Sequence, residues 1–562
     1  MAIFEQILEA RGIGGDGINK QEYLNPNYEL GHDPFLLPDM RKAVDRLKLA
    51  HSKQQKITIY GDYDIDGLTA TSVLLDAFAS FGFENVEAYI PNRFVEGYGL
   101  TVEAVETIAD TGADLIITVD CGSLSEKEII RANDLGVDVI VTDHHNVLPV
   151  QPPAVAVINP KRLLQDYPES YESFILTNKN DTELYPFLDL PGVGVAFKLV
   201  QAMQTEMYGL KKGQEKWLLD LVALGTVCDV VTLKDENRMH VYWGLKVLEK
   251  TRRLGLKALM AVAAVEPGKI NSRSLGFALG PRMNAAGRLE TALHSLEMLR
   301  TEDCEVALEK ATQLDMMNQE RRAIQDKILE EAIKQAETME KDPVLVVSGA
   351  GWSHGIIGIV AAKLLEKYHK PTFVLEEMED EAKGSARSYG DFSAADAIRA
   401  ADDIISKGGG HKLAAGVTLP VEKIADFRQR VNEYYKSLEL KNQTDFLLVN
   451  ADVALNDFSQ VNEKLVDDMV KMEPFGNGNP EPIIVVEDIY VAETRRMGAN
   501  NQHVKLTLKD KRNQRMQVVA FSAPEHFFCT PGDYVKAWIS PTINEWRGVR
   551  KVEGRLLRLE VN

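Results

Sequence analysis

Cysteine is scarce in this sequence of 562 residues, which contains only four, at positions 121, 228, 304 and 529. They lie far apart and form no Cys-x-x-Cys pair, which excludes a thiolate zinc site and gives no sign of a disulfide framework. No apolar run approaches the roughly 20 residues of a membrane span, and the first residues lack the basic and then apolar order of an export signal. We therefore expect a soluble cytoplasmic protein with no membrane partner.

Basic charge is also in short supply, because 84 Asp and Glu outnumber 64 Lys and Arg and give a net charge of −20. This balance argues against a protein that coats nucleic acid. It does not exclude a local basic groove, since the field at a cleft is set by nearby charges. Residues 491–562 oppose the rest of the chain, with 13 Lys and Arg against 7 Asp and Glu, a local net of +6.

What the sequence does contain is a regular alternation of apolar runs and helical patterns after residue 55. Such an alternation predicts a mostly parallel sheet with helices on both faces. The predicted strands are residues 56–60, 86–90, 114–119, 137–142 and 154–158, and the predicted helices between them are 67–82, 101–111 and 124–135. The chain is mainly helical by pattern from 160 to 300.

The first predicted strand leads into residues 61–67, which read Gly-Asp-Tyr-Asp-Ile-Asp-Gly. The carboxylates of Asp62, Asp64 and Asp66 repel each other, and no Lys or Arg lies in the turn to pair with them. Divalent cations among the oxygens would make such a cluster stable. A plain surface turn is the alternative, because Asp and Gly favour turns. A calcium loop of the EF-hand type would need further ligands and a late Glu.

Two further strands end in the same kind of residue. The third is followed by Asp120-Cys-Gly and the fourth by Asp143-His144-His145. Because ligands bind beyond the carboxyl ends of the strands in an open α/β sheet, we expect all these groups to converge at one edge. Each fragment alone has another explanation, an aspartate that caps the next helix or a His pair in a surface turn. Asp and His without Cys suit Mn²⁺ or Mg²⁺ better than a structural zinc.

The ordered motifs resemble those of the DHH phosphoesterase superfamily, namely Asp64-Ile-Asp66-Gly67, Asp120-Cys121-Gly122, Asp143-His144-His145 and Gly225-Thr-Val-Cys-Asp229. The form of residues 61–67 is most similar to the RecJ family of single-strand-specific exonucleases, and the resemblance extends from about residue 56 to the C-terminus. One residue departs from the wider superfamily, since Tyr60 stands where a His is often found, four residues before Asp64. By resemblance, Asp62 replaces that His as a ligand.

The resemblance implies phosphodiester hydrolysis assisted by two divalent cations, Mn²⁺ or Mg²⁺. The implied ligands form two groups that share Asp120 as a bridge, with Asp62 and Asp64 on one ion and Asp66, His144 and Asp229 on the other. His145 stands next to a ligand, and the resemblance implies that it touches the phosphate or helps to move a proton.

Candidate substrate contacts lie outside the acidic motifs. Arg93 follows the second predicted strand, where a guanidinium could grip a phosphate bidentately. Arg282, Asn284 and Arg288 stand among small residues in a segment similar to a substrate-facing motif of the RecJ family, and a solvated loop is the alternative. By contrast, residues 191–194, Pro-Gly-Val-Gly, do not follow the order of a phosphate loop and predict a tight turn into a packed helix.

Three consecutive glycines at 408–410 expose backbone N–H groups that can cradle a phosphate. Gly409, Gly410 and His411 resemble the Gly-Gly-Gly-His loop of the DHH-associated domain, which faces the metal site across a cleft. His354 and His411 have a plainer interpretation as braces of their loops. By resemblance, Ser385 and Arg387 would hold a terminal 5′ phosphate together with Arg93.

The predicted segments are an irregular arm on the first domain (1–45), a DHH catalytic domain (46–302), a long connecting helix without Gly or Pro (303–340), a smaller α/β DHH-associated domain (341–440) and an all-β domain (446–562). Short strands separated by turn residues predict a small barrel for the last segment. Its basic charge and the aromatics Phe521, Trp538 and Trp546 favour an oligonucleotide-binding (OB) barrel.

By resemblance the protein digests single-stranded DNA from its 5′ end and releases nucleoside 5′-monophosphates in DNA repair and recombination, with a helicase and a single-strand-binding protein as candidate partners. A smaller DHH phosphodiesterase acting on short oligonucleotides or cyclic dinucleotides would not need the long helix or the barrel. A family II pyrophosphatase would keep a His in place of Tyr60 and would lack residues 446–562. A single-strand DNA-binding replication protein with a decayed catalytic domain is the remaining alternative, but all four acidic motifs are intact.

Overall fold

The computed structural model describes residues 2–15, 17–168, 171, 184–440, 449–498, 500–546 and 548–561. The predicted fold class is confirmed in these ranges, which contain a parallel α/β sheet, a long helix, a smaller α/β unit and a closed barrel. No helix in the same ranges is both long and apolar enough to cross a bilayer.

The first domain is built on a sheet of five described strands in the order β2-β1-β3-β4-β5, and every neighbouring pair is parallel. The elements up to the end of this sheet are α1 Ile3–Ala10, α2 Lys20–Leu24, α3 Met40–Ser52, β1 Ile57–Gly61, α4 Ile65–Phe81, β2 Val86–Tyr89, α5 Val102–Asp110, β3 Leu115–Val119, α6 Glu126–Asp134, β4 Asp138–Thr142, β5 Ala156–Ile158 and α7 Leu163–Asp166.

Helices cover both faces of this sheet, so the central strands β1 and β3 are buried along their whole length. Successive side chains of a strand point to opposite faces. Ile57 and Ile59 accordingly pack into the cluster that contains α3 and α4, whereas Tyr60 packs with α5 and α6 on the other face. Burial on both faces explains why these strands read as continuous apolar runs.

The predicted helical region after the sheet extends the same core. Its described helices are α8 Gly192–Glu206, α9 Leu219–Cys228, α10 Asp235–Leu248, α11 Leu254–Val262, α12 Ser272–Ser274, α13 Gly280–Leu289 and α14 Leu293–Arg300, with a π-helical turn at Leu275–Leu279. The part of the prediction that covers residues 169, 170 and 172–183 lies outside the described residues.

The long connecting helix, α15, runs from Cys304 to Glu337. The carboxylate of Asp303 caps it by accepting hydrogen bonds from the N–H groups of Glu305 and Val306 at 2.7 and 3.2 Å. Ala311 and Leu314 pack into the core of the first domain, and residues 328–336 pack into a cluster of the second. The helix therefore joins two cores through small and aliphatic side chains.

The second domain has a mixed sheet in the order β6-β7-β8-β10-β9, in which only β6 and β7 are parallel. The glycine run forms its edge strand, not a loop, because Gly409 and Gly410 pair with Gly416 and Ala415. The elements are β6 Leu345–Ala350, α16 His354–Tyr368, β7 Thr372–Glu377, β8 Glu381–Arg387, α17 Ala394–Arg399, β9 Lys407–Gly410, β10 Ala414–Pro420 and α18 Ile424–Ser437.

The last domain is a barrel in which β12, β13, β14, β16 and β15 pair in that order and β15 closes back on β12. Closure removes the two edges that an open sheet of these five strands would have. Its elements are β11 Val453–Leu455, α19 Glu463–Val470, β12 Ile484–Met497, β13 His503–Lys509, β14 Arg515–Ala520, β15 Tyr534–Trp546 and β16 Val549–Val561. Phe521 is exposed and Trp538 is buried, while residues 446–448 and the side chain of Trp546 lie outside the described part.

The N-terminal arm packs on the first domain only in its second half, around Tyr28 and Phe35. Its first half packs on the last domain instead, where α1 and α2 share an apolar cluster with α19 and β11. Arg11 donates to both carboxylate oxygens of Asp452, at 2.6 and 2.9 Å. The arm thus packs against both the first domain and the last domain.

Candidate metal and phosphate site

The predicted acidic residues converge at the carboxyl edge of the first sheet. Asp62, Asp120 and Asp143 come directly after the ends of β1, β3 and β4. Their candidate ligand atoms form three overlapping groups, in each of which the atoms lie within 4.8 Å of one another: Asp62, Asp64 and Asp120; Asp66, His144 and Asp229; Asp120, His144 and His145. The first two groups have the composition that the resemblance implies.

Several of these ligand atoms are buried without a hydrogen bond. Asp62 Oδ1, Asp120 Oδ1, His144 Nε2 and Asp229 Oδ2 have no such partner among the described residues. His144 Nε2 nevertheless lies 3.0 Å from Asp120 Oδ1 and 3.7 Å from Asp229 Oδ2. Buried polar atoms without partners are rare and costly. A divalent cation bound by these oxygen and imidazole donors would satisfy them, so the donor set fits Mn²⁺ or Mg²⁺.

The pKa shifts of these residues also indicate a site for a cation. Burial, together with the charge of Asp64, raises the pKa of Asp66 to about 7, and burial with the charge of Asp66 raises the pKa of Asp229 to about 9. Burial and the neighbouring His145 lower the pKa of His144 to about 3. His144 is therefore a neutral imidazole with a lone pair available for a metal.

The backbone of the site carries local constraints. Asp64 caps α4, since its Oδ1 accepts from the N–H groups of Asp66 and Gly67 at 2.9 and 3.2 Å, and it also contributes an oxygen to the first ligand group. Asp120 has a left-handed backbone with φ of 62°, a conformation that a non-glycine residue adopts at an energetic cost and that clusters at functional sites. Capping and ligation are therefore combined in Asp64.

The start of α8 contributes a contact that the sequence analysis missed. The N–H groups of Gly192 and Val193 donate to the carboxylate of Asp66 at 2.6 and 2.8 Å. A Cβ at position 192 would lie 2.6 Å from the Cβ of Asp120, so only glycine allows this approach. Helix N-termini bind anions through such N–H groups. The Gly-x-Gly signal was present, but its partner lies 126 residues away.

His145 is held from two sides. Its Nδ1 lies 2.9 Å from Asp143 Oδ1, and the Tyr98 hydroxyl lies 3.2 Å from the ring. Burial acts to lower the pKa of His145 but is outweighed by the hydrogen bond and charge of Asp143, so the pKa is raised. Asp143 also accepts from the N–H of Ser123 at 2.9 Å. The role of Tyr98 was not anticipated from the sequence.

Tyr60 points away from the acidic groups. Its hydroxyl donates to the carbonyl of Gly99 at 2.8 Å, and its ring stacks on Tyr89 with the centroids 5.3 Å apart. Asp62, by contrast, belongs to the first ligand group. This placement agrees with the implied replacement of the usual His by Asp62.

Three arginines gather beside the acidic groups. Burial lowers the pKa of Arg288 to about 10, with smaller contributions from Arg93, Arg321 and Arg387, and burial and Arg93 lower the pKa of Arg387. The Arg93 guanidinium lies 4.3 Å from the centroid of the Tyr63 ring. Ser385 lies near Arg387, since a Cβ at Gly358 would be 3.4 Å from both side chains. Mutual repulsion of this kind is relieved by a bound anion.

Arg282 and Asn284 serve other contacts in the structure. Arg282 donates to Asp315 Oδ1 at 2.8 Å and to the carbonyl of Ala278 at 2.7 Å, which ties α13 to α15. Asn284 Oδ1 accepts from the N–H of Ile65 at 3.2 Å and so supports the acidic turn. The substrate role predicted for these two residues stays a prediction.

The second domain approaches the site through His411. Its Nδ1 lies 3.2 Å from Asn146 Nδ2 of the first domain, and burial, His145 and Lys161 lower its pKa. Gly409 and Gly410 precede it on β9. His354 instead braces its loop, because its N–H and its Nδ1 both contact Glu376 Oε2. Lys161, which did not stand out in the sequence, faces the site closely enough to oppose in part the rise in the pKa of Asp229.

A cavity of about 680 Å³ opens next to the site. It is bounded by Cys228, Asn284 and Arg288 of the first domain, by Arg321 of α15 and by Arg555 of the barrel. The cavity therefore connects the region of the acidic groups with the last domain.

Comparisons with known proteins match this architecture in all three parts. Residues 56–226 match the DHH family, N-terminal domain, residues 341–437 match the DHHA1 domain, and residues 452–557 match the RecJ OB domain.

Curated relatives cover most of the chain. It is 38% identical over 524 residues to the single-stranded-DNA-specific exonuclease RecJ of Bacillus subtilis, an alignment that covers 92% of this chain and 63% of that protein. It is 32% identical over 552 residues to the RecJ of Haemophilus influenzae, covering 94% of this chain and 90% of that protein. The chain thus spans less than two thirds of the length of the Bacillus protein. It spans nine tenths of the length of the Haemophilus protein.

Solved structures give the same result. The crystal structure of RecJ in complex with Mn²⁺ from Thermus thermophilus matches with a TM-score of 0.80 at 28% identity, covering 99% of this chain and 77% of that one. The corresponding structure with Mg²⁺ matches with a TM-score of 0.74 at 27% identity, covering 99% and 76%. Taken with the identities above, these matches show that the chain belongs to the RecJ family of DHH proteins.

Proposed function

We propose that the chain is a metal-dependent exonuclease that hydrolyses single-stranded DNA from its 5′ end and releases nucleoside 5′-monophosphates. One observation carries the proposal. Buried carboxylate and imidazole atoms without partners lie at the same cleft as Arg93, Arg288 and Arg387, and no ion pair of these three arginines occurs among the described residues. The acidic groups suit divalent cations, and the arginines suit phosphate.

The proposed domain division assigns residues 46–302 to catalysis, 303–340 to the connecting helix, 341–440 to the DHH-associated domain and 446–562 to the OB domain, with 1–45 as the arm. The three matched ranges lie inside these segments, which supports the division.

The proposed metal ligands are Asp62, Asp64, Asp66, Asp120, His144 and Asp229, with Asp120 shared between two ions. Bound divalent cations would neutralise the carboxylates and act as Lewis acids on the scissile phosphate. The chain itself contributes the N–H groups of Gly192 and Val193, which fix the carboxylate of Asp66.

His145 is the proposed residue that touches the scissile phosphate or moves a proton. Asp143 and Tyr98 fix its ring, and its raised pKa keeps it protonated to a higher pH than an ordinary imidazole. A positioned imidazole of this kind can donate to a phosphate oxygen or transfer a proton.

Direction depends on residues from both domains. Arg93, Ser385 and Arg387 would bind the terminal 5′ phosphate, and Gly409, Gly410 and His411 would approach the strand from the second domain. Because Arg93 and Arg387 lie on different domains, the cleft between them would set the distance between the terminal phosphate and the cleaved bond. This arrangement favours release of one nucleotide at a time.

The test of direction is Arg387→Ala. A charge-assisted hydrogen bond contributes roughly 1.5–3 kcal/mol, so activity on 5′-phosphorylated ends is expected to fall by roughly 10- to 100-fold. Activity on 5′-hydroxyl ends and the affinity for Mn²⁺ should change little, and Arg399→Ala, an exposed arginine of the same domain, is the control. An equal loss on both kinds of end would contradict the proposed phosphate contact.

The test of activity is incubation of the chain with long single-stranded DNA and Mn²⁺, with and without a chelator. We expect mononucleotides only when Mn²⁺ is available. A DNA complex that shifts in a gel without shortening would instead identify a binding protein. Cleavage restricted to dinucleotides would favour the smaller DHH phosphodiesterases.

The proposed location is the cytoplasm, and the proposed partners are a helicase and a single-strand-binding protein. A single-strand-specific enzyme needs another activity to open a duplex, and free single strands in cells are coated. Stimulation of degradation of duplex DNA by an added helicase is the expected observation.

A further inference from the structure

The first half of α15 exposes apolar side chains on the face that points away from the first domain. Leu308 and Met316 are 54% and 65% exposed, although their neighbours Ala307, Ala311 and Leu314 are buried. Leu308 and Met316 lie eight residues apart on the helix and therefore share one face. They line a groove of about 740 Å³.

Carboxylates surround this groove. Glu290, Glu305, Glu309 and Glu320 line it, and its lining contains no Lys or Arg among the described residues. Glu290 Oε2 lies 3.4 Å from His294 Nε2. The other three glutamates form no ion pair in the described part of the chain. Lys310 on the same helix is already paired with Glu297 at 2.5 Å. The groove is therefore an apolar strip, interrupted by Thr312 and Gln313, in a negative field.

The groove is separate from the site described above. It shares no lining residue with the cavity beside the acidic groups. A phosphate backbone would be repelled by its four carboxylates, so nucleic acid does not suit it. A second copy docked groove to groove suits it poorly as well, because the four carboxylates of each copy would then face one another.

We propose that this groove docks an amphipathic helix of a partner protein that has an apolar stripe flanked by Lys and Arg. The stripe would pack on Leu308 and Met316, and the basic flanks would face Glu305, Glu309 and Glu320. Amphipathic helices bind apolar grooves through side chains at such helical spacings, and the flexible thioether of methionine adapts to different partners. The proposal does not depend on nuclease activity.

The experiment uses the whole chain and a fluorescein-labelled peptide of Leu and Lys arranged as an amphipathic helix. Binding is followed by fluorescence anisotropy. One comparison peptide has the same composition in scrambled order, and a second carries Glu in place of Lys. We expect the amphipathic basic peptide to bind and the other two to bind much more weakly.

Two variants test the two halves of the proposal. Leu308→Ser with Met316→Ser removes the apolar strip, and Glu305→Gln with Glu309→Gln and Glu320→Gln removes the charge. Each is expected to weaken binding by roughly tenfold or more, since several contacts are lost together. The matched control, Glu84→Gln with Glu126→Gln and Glu422→Gln, removes the same charge elsewhere and should leave binding within about twofold.

Three outcomes would overturn the proposal. An equal loss in the control variant would mean general attraction to an acidic protein. Equal binding of the scrambled peptide would mean that no helical face is recognised. If the free chain forms a dimer and the variant Leu308→Ser with Met316→Ser is a monomer, the groove is the interface for a second copy.

Discussion

The first domain contains two buried clusters of ionisable residues that behave in opposite ways. Glu236 is 2% exposed, accepts from Lys198 at 2.8 Å and from the N–H of His32 at 2.9 Å, and accepts a hydrogen bond from Tyr185. Burial acts to raise its pKa, but Lys198, His240 and His32 together outweigh burial and the pKa falls to about 2. Asp229 of the acidic site has a pKa raised to about 9.

The comparison shows that partners, and not depth, decide the charge state of a buried carboxylate. The Glu236 cluster contains its own cation and holds the arm against α8 and α10. In the acidic site the nearest carboxylates repel one another, and oxygens of Asp62, Asp120 and Asp229 have no hydrogen-bond partner among the described residues. The first cluster is a structural element, and the second requires a ligand cation.

Replacement of one carboxylate of the acidic site by an amide should have the largest effect, a loss of DNA degradation. Asp120→Asn is expected to lower DNA degradation by more than the roughly 10- to 100-fold typical of outer-shell partners of a metal site. Asn tolerates the left-handed backbone at this position. The measurement is release of nucleotides from single-stranded DNA with Mn²⁺.

The same variant should be at least as stable as the parent without metal, because one of several mutually repelling carboxylates has been removed. A large loss of stability in the metal-free variant would show that the acidic site, like the Glu236 cluster, is a structural element.

Lys198→Met should lower the stability of the protein and leave its activity unchanged, the opposite of Asp120→Asn. It leaves Glu236 buried without its cation, and the free energy of unfolding is expected to fall by roughly 3–5 kcal/mol, as for other broken buried pairs. Urea denaturation gives this value. Lys212→Met, at an exposed position, is the control. Activity per folded molecule should not change, and a selective loss of activity would contradict the structural role of Lys198.

Mn²⁺ should stabilise the parent and Lys198→Met by the same amount. A ligand at 100 times its Kd adds about 2.7 kcal/mol to the free energy of unfolding. Thermal denaturation with Mn²⁺ and with a chelator measures the difference. The increment should shrink in Asp120→Asn, and an unchanged increment there would mean that the stabilising ions bind elsewhere.

The smallest effect is expected from pH. The pKa of Glu236 in the folded state, about 2, lies below the value of about 4.3 for an unfolded chain. Its stabilising contribution is therefore complete above about pH 4.3 and is lost as the pH falls toward 2. By pH 3.5 the loss is about 1 kcal/mol. In urea denaturation, the free energy of unfolding of Glu236→Gln should not show this loss between pH 4.3 and pH 3.5. If the parent and the variant lose the same free energy over this range, the assignment to Glu236 is wrong.

The sequence predicted those features that depend on local pattern and general sheet geometry. The strands that precede Asp62, Asp120 and Asp143 are buried apolar runs, and the carboxyl ends of parallel strands meet at one edge. The long helix was predicted because residues 303–340 contain no Gly or Pro, although the helix ends at Glu337, before the predicted boundary at residue 340.

Contacts between distant segments could not be predicted in this way. The N–H groups of Gly192 and Val193 reach Asp66, and the Tyr98 hydroxyl reaches His145. The ion pair of Arg282 with Asp315, 33 residues away, was likewise not visible in the sequence. A local pattern does not show which of several donors or acceptors a folded chain places beside a side chain.

The N-terminal arm has a consequence for how the protein is made. Arg11 and its partner Asp452 are 441 residues apart in the chain, and a ribosome adds roughly 5–20 residues per second. The apolar side of α1 therefore emerges roughly 20 to 90 seconds before the segment that covers it. Throughout that interval Ile7 and Leu8, both buried in the finished molecule, face water. The nascent chain therefore carries an uncovered apolar helix face until β11 and α19 have been synthesised.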